Sequence, residues 1–177
     1  MVIGEGLSYM NTLDAFAFCA FGRFFDIAST RYVTPQLKLE SNSLIKKLGW
    51  FYAWSTILVS LISFYDAALG IILGTTSFFV AYSNMRMALI IKFFGEEKAL
   101  ATIRACIKSM SLTGYLSYQI LMYAPLIIIS GVLLGQYGLS PSSLATSVAF
   151  GLVLGVIVFV FWGAIFRRKA LSMDYPE

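Results

Sequence analysis

LGWFYAWSTILVSLISFYDAALGIILGTTSFFVAYSNMRMALIIKFF, residues 48–94, decides the fold. Between Lys47 and Arg86 its only charged residue is Asp66. A bilayer-crossing helix needs about 20 mostly apolar residues at a rise of about 1.5 Å each, so this stretch is far too long for a single crossing. It must fold back on itself, and Tyr65-Asp66 is the place to turn. Two spans result, at about 48–64 and 68–94.

Working outward, an earlier apolar window covers about 13–33, and Thr34-Pro35 should stop it because the residue before a proline disfavours the helical region. Downstream, a window at about 112–137 holds Pro125, which neighbouring helices tolerate by kinking, and a last one at about 143–166 ends in Arg167-Arg168-Lys169. The fold class predicted is therefore all-α: a polytopic transmembrane helical bundle of about five spans, with residues 1–177 forming a single integral membrane domain. Composition agrees. Hydrophobic residues make up 59% of the 177, charged residues 12%, and the mean hydropathy is +0.80. Soluble chains carry about 25% charged residues, so a water-soluble domain of this size could not hide so much apolar surface. Disordered and disulfide-stapled classes fall away with the abundance of apolar residues and only two cysteines. No repeat or low-complexity tract breaks the chain.

Basic residues set the orientation, since Lys and Arg near short loops stay on the cytoplasmic side. Arg31, Lys38, Lys46 and Lys47 surround the first loop, Lys92, Lys98, Arg104 and Lys108 the third, and Arg167, Arg168 and Lys169 follow the last span. The segments between have neither Lys nor Arg. The N-terminus is predicted outside and the C-terminus in the cytoplasm of a multi-pass cell-membrane protein. The N-terminal region lacks the basic stretch of a signal peptide, and Arg23 and Asp26 in the first window make it a permanent helix. Residues 96–110 place Leu100, Ile103 and Ile107 at helical spacing, which suits a helix lying in the cytoplasmic interface or an extended start of the fourth span. The pI near 9.1 follows from these basic loops held against anionic lipid, so no nucleic-acid partner is predicted.

An unpaired charge at mid-helix costs about 2.5–3.5 kcal/mol on insertion scales, so each needs a partner or a wet cavity. Cys19, Arg23, Asp26 and Thr30 are spaced to share one helical face, with Arg23 and Asp26 three apart and able to pair. That face should look inward, either as a structural ion pair or as part of a ligand site or relay. Glu40, Ser41 and Asn42 precede the second span and are placed to face Asp26. Ser41 and Asn42 are also ordinary helix N-caps. Asp26, Glu40 and Asn42 together offer hard oxygen ligands of the kind that suit Mg²⁺ or Ca²⁺. No other cofactor is predicted.

The segment Asp26-Ile27-Ala28-Ser29-Thr30, followed by Glu40-Ser41-Asn42, resembles the D-x-x-[ST]-T … E-x-N pattern of a family of small prokaryotic membrane proteins known only as a domain of unknown function. The resemblance covers about a third of the chain. In that family a proline commonly follows the asparagine, where Ser43 stands here. What it implies is a small multispanning protein with Asp26, Thr30, Glu40 and Asn42 as positions of interest, and no activity.

The third span should bring Asn84 and Arg86 to the depth of Asp26, making Arg86 a second candidate counter-ion. Gly70, Gly74, Ser77, Ala81, Asn84 and Ala88 form a stripe of small residues suited to close helix contact or to lining a pathway. In the fourth span Gln119 lies deep beside Tyr115, Tyr118 and Tyr123. Gly131/Gly135 and Gly151/Gly155 are G-x-x-x-G pairs that could join helices within one chain, in a homo-oligomer or in a membrane complex. There is no histidine, no C-x-x-C and no phosphate-binding G-x-x-x-x-G-K-[ST] loop, and every lysine maps to a boundary or loop, which argues against ordinary nucleophilic catalysis. Three functions remain: a transporter or channel-like bundle with a cytoplasm-facing polar cavity for an ion or small solute; an accessory subunit of a membrane complex; and a metal-dependent enzyme acting on a lipid phosphate. The first is preferred, and an enzyme is the least favoured.

Overall fold

A computed structural model describes residues 11–37, 43–140 and 143–172, and every regular element among them is helical. Helix α1, Thr12–Val33, starts where the Asn11 side chain accepts a hydrogen bond from the Asp14 amide at 2.8 Å. It ends just before Thr34-Pro35, as proline geometry requires. The stretch that must double back does so at Tyr65-Asp66. Asp66 caps the following helix by accepting from the Ala68 amide at 2.8 Å.

The second pass is not one regular helix. Helix α2, Ser43–Ser55, is kinked at Gly49, whose φ of 73° and ψ of −164° suit only a residue without a side chain. A 3₁₀ helix, Thr56–Phe64, completes the pass. Ser55, Thr56 and Ser60 each donate their hydroxyl to the carbonyl three residues back, at 2.6–2.7 Å, which occupies carbonyls that α-helical bonding would use. Helix α3, Ala67–Phe94, ends at Gly95, whose φ is 78°. Helix α4, Glu96–Ser109, is a separate element from α5, Leu112–Tyr137, so it is not an extended start of the fourth span. Helix α6 is Leu144–Ser172.

Three helices are long and apolar enough to cross a membrane: Ala67–Phe94, Leu112–Tyr137 and Leu144–Arg168. Helix α1 carries Asp14, Arg23, Asp26 and Arg31, and the second pass is divided between two short helices; neither matches the other three in length and apolarity. Of the apolar windows, 39% of that in α3 is buried but only 11% of that in α5, which makes α3 the central helix and leaves α5 a largely exposed apolar surface suited to lipid.

Side-chain pairings give the directions of the helices. Along α1, Cys19, Arg23, Thr30 and Val33 meet Gly74, Ser77, Asn84 and Ala88 of α3 in ascending order, so the two run parallel. Helix α6 runs the same way, its Gly151 and Gly155 against Thr75 and Phe79. The second pass is antiparallel to α1, with Trp50 bonded to Pro35 and Phe64 stacked on Phe16. Helix α5 is antiparallel to α6: Tyr115 sits at Gly163, and Tyr123 further back at Phe159. Helices α1 and α3 cross closely: a Cβ on Gly22 would stand 2.6 Å from the Gly74 carbonyl oxygen. Helix α4 packs across the end of this layer. Its Ala99 joins Val33, Ala88 and Ile91, and its Ile107 joins Tyr115 beside Ile103 and Phe166.

Candidate functional site

Arg23, Asp26 and Thr30 do share a face of α1, and that face meets α3 and the second pass. The Arg23 guanidinium donates from Nη1 to Asp26 Oδ2 at 2.7 Å and to Ser77 Oγ at 3.5 Å, and from Nη2 to Thr56 Oγ1 at 2.5 Å. One side chain thus ties α1 to α3 and to the first residue of the 3₁₀ helix. Both partners of the ion pair are mostly buried, with 22% of the Arg23 side chain and 14% of the Asp26 side chain exposed. Arg23 Nε is fully buried and has no hydrogen-bond partner among the described residues.

Two turns along, Asn84 Nδ2 of α3 donates to Thr30 Oγ1 at 2.8 Å and to Ser29 Oγ at 3.2 Å. Thr30 and Ser29 pass their own protons to the Asp26 carbonyl, each at 2.9 Å. At the end of α1, Thr34 Oγ1 donates to Glu96 Oε2 at 2.7 Å, and the Gln36 amide donates to Glu96 Oε1 at 3.1 Å, which fixes the start of α4 against α1.

Of these groups, Arg23, Asp26, Thr30, Thr34, Thr56 and Asn84 border a cavity of about 420 Å³ lined mainly by α1, α2, α3 and α6. Arg23, Asp26, Thr30, Thr56 and Asn84 form its polar wall, whereas Trp50, Met87, Phe159, Trp162 and Phe166 are among the apolar residues that make up most of the remainder. The lining residues of α3 and α6 run from the middle of each helix towards its C-terminus, in two helices long enough to cross a membrane. Arg23 and Asp26 are the only charged side chains that border it among the described residues.

Two of the candidates read from the sequence lie elsewhere. Arg86 does not face Asp26: it is exposed on the α5 side, with Nη2 3.5 Å from Met122 Sδ. Two residues along a helix turn the side chain by about 200°, so once Asn84 faces α1, Arg86 must face away. Gln119 bonds Tyr115 OH at 2.8 Å and sits against Gly163, in the seam between α5 and α6. Glu40 and Asn42 lie outside the described residues. Asp26, the described member of the oxygen set read as a site for Mg²⁺ or Ca²⁺, is held by a guanidinium that would compete with a cation. Among the described residues no group of three or more His, Cys, Asp or Glu is placed to hold a metal.

Sequence reasoning passed over Thr56 and the aromatic wall. Thr56 had no signal, because its role depends on where the second pass changes helix type. Trp50 and Trp162 were lost among 28 aromatic residues (3 Trp, 10 Tyr and 15 Phe). Of the G-x-x-x-G pairs in the last two helices, Gly151 and Gly155 seat α6 on α3, while Gly131 and Gly135 have nothing within 4 Å of a Cβ built on either. Compared with family models, curated proteins and solved structures, the chain has no significant match.

Proposed function

We propose that the chain is a small multi-pass protein of the cell membrane that crosses it five times, N-terminus outside, and takes a small solute into the cavity beside Arg23 and Asp26 as the binding step of transport. The observation that carries this reading is a cavity with an ion pair and an amide on one wall, set within helices of membrane-crossing length. Buried ionisable groups at such depth are costly unless they pair or meet a ligand, and here they do the first while bordering space for the second. The apolar remainder of the wall favours a solute over a bare ion, because a dehydrated ion needs more oxygen ligands than one paired carboxylate and an amide supply.

Supporting evidence would come from a thermal-shift screen of the purified chain against small polar and amphipathic solutes, followed by uptake of each stabilising solute into reconstituted vesicles. Asp26→Asn is expected to lower that uptake by about tenfold or more while the protein stays folded, since it removes the charge that orients Arg23. Unchanged uptake in Asp26→Asn, or no stabilising solute at all, would remove the basis of the reading.

A second reading, a subunit of a membrane assembly, is favoured by one observation: the open face of Gly131 and Gly135 on the mostly exposed α5. Close helix approach is what such a pair permits. A stoichiometric partner recovered from native membranes with the wild type, and lost on Gly131→Leu, would support it; a chain that purifies alone and monomeric would oppose it.

A further inference from the structure

Helix α6 lies against α3, α5 and α4, whereas α1 packs on α3 and on the 3₁₀ helix, and α2 on the 3₁₀ helix and α1. The cavity therefore has α3 as its back, α1 and α2 as one side and α6 as the other. Helices α2 and α6 both line the cavity, with Trp50 and Trp162 among their residues, yet they are not packed on each other, so among the described residues the ring of helices is left open between them. The exposed residues of both helices include large apolar side chains, beside Lys46 and Lys47 on α2. On α2, Leu44, Leu48 and Phe51 are exposed, Phe51 by 88%; on α6, Ile157 and Phe161 are exposed by about 60%. A hydrated solute would have to pass an apolar rim to enter here, whereas a molecule already dissolved in the bilayer would not.

Charge and hydrogen-bond accounting then narrow the head of the occupant. Arg23 and Asp26 pair at 2.7 Å and are the only charged side chains lining the cavity among the described residues, so these residues offer a net ion no unmatched counter-charge. The protons of Thr30 and Thr56 go to the carbonyls of Asp26 and Ala53, and both amide protons of Asn84 go to α1. Asn84 Oδ1 receives no donor from the described residues. Arg23 Nη2 has one proton on Thr56 and a second that no described acceptor takes. Asn84 Oδ1 as an acceptor and Arg23 Nη2 as a donor, with Arg23 Nε buried behind it, are the complement of hydroxyl groups.

Resting on the binding function proposed above, we infer that the ligand is an uncharged, hydroxyl-bearing single-chain amphiphile that enters from the bilayer between α2 and α6. Its head meets Asn84 and Arg23, and its chain lies along the aromatic wall and out through the gap. A volume of about 420 Å³ accommodates a head and part of one chain, within the usual range for small-molecule sites of about 300–1,000 Å³.

Two of the three tryptophans border the cavity while Trp54 does not; it stacks on Phe24 instead. Intrinsic fluorescence therefore reads occupancy. The full chain is reconstituted in vesicles of unbrominated phosphatidylcholine and titrated with a monoacylglycerol brominated on its chain. Quenching is expected to saturate at low mole fraction in the wild type and to become weak and linear in the Trp50→Phe/Trp162→Phe variant, which keeps Trp54. Asn84→Leu is expected to weaken the apparent affinity by about tenfold, the usual effect of removing one buried hydrogen-bonding group. Because Asn84 also ties α3 to α1, Val158→Phe serves as a second variant that fills the cavity without untying helices, and it too should weaken binding. Linear quenching in the wild type, equal to that of the double variant, would overturn the inference. So would saturation by a brominated alkyl sulfate with none by the neutral amphiphile. If no amphiphile saturates but a water-soluble solute shifts the emission saturably, entry from the bilayer is refuted and the binding function stands. If neither binds to a chain of unaltered thermal stability, both are refuted.

Discussion

Gly22 and Gly74 are where the backbones of α1 and α3 come into close contact. A Cβ on Gly22 meets the Gly74 carbonyl oxygen at 2.6 Å, and one on Gly74 meets the Phe18 ring at 2.6 Å and Cys19 Cα at 3.0 Å. Neither backbone can give way without parting α1 from α3 and loosening the Arg23 and Asn84 bonds that cross the same seam. Gly22→Ala is expected to lower stability by about 1–3 kcal/mol, as overpacking does, while Gly131→Ala, with open space around it, should be neutral or slightly stabilising; thermal unfolding in detergent compares the two. The ion pair was legible in the sequence because Arg23 and Asp26 are three apart on one helix, a local relation that needs no knowledge of the rest of the fold. Arg86 was misplaced by an argument from depth alone, although its angle to Asn84 along α3 already set it on the opposite side. The close approach at Gly22 could not be read, since nothing in the chain says which of its glycines meets another.

At the scale of elements, the boundaries that depend on local chemistry came through. Thr34-Pro35 closes α1, Asp66 caps α3, and residues 96–109 form a helix of their own. The second pass differs because its irregularity is set by hydroxyls and a glycine inside an otherwise apolar run. Gly49 has no neighbour within 4 Å, so a side chain there meets no obstacle but must adopt a φ near 73°. Gly49→Ala is therefore expected to cost about 1–3 kcal/mol through backbone strain alone, without the steric penalty of Gly22→Ala. If the variant straightens the kink instead of bearing the strain, Trp50 leaves Pro35 and the cavity, and its emission shifts. Thermal unfolding and tryptophan fluorescence distinguish these outcomes. The 3₁₀ helix had no counterpart in the sequence reading. Thr56–Phe64 contains no proline or glycine, and its three-residue periodicity becomes visible only when Ser60 and Ser63 are seen buried together.

For the molecule as a whole, hydropathy supplied the helical class and the approximate positions of the helices, because the solvent preference of whole segments is additive along the chain. Assembly of the polar wall from three separate segments was only partly legible, since it depends on which faces turn inward. Orientation can be tested with the native cysteines. Cys19 is buried and Cys106 exposed. With the C-terminus in the cytoplasm, a membrane-impermeant maleimide added to sealed, right-side-out vesicles should leave Cys106 unlabelled and should label it after permeabilisation, giving at most one adduct per chain. Labelling of intact vesicles would invert the proposed orientation.

The parallel course of α1, α3 and α6 has an electrical consequence. Peptide dipoles along a helix sum to roughly half a unit of negative charge at its carboxyl end, and three such ends gather on one side here, against two antiparallel passes. Arg31 and Lys92 occupy the last turns of α1 and α3 at that pole. These cations offset the uncancelled field of the bundle, and with the orientation proposed above the same side chains would serve insertion and folding at once.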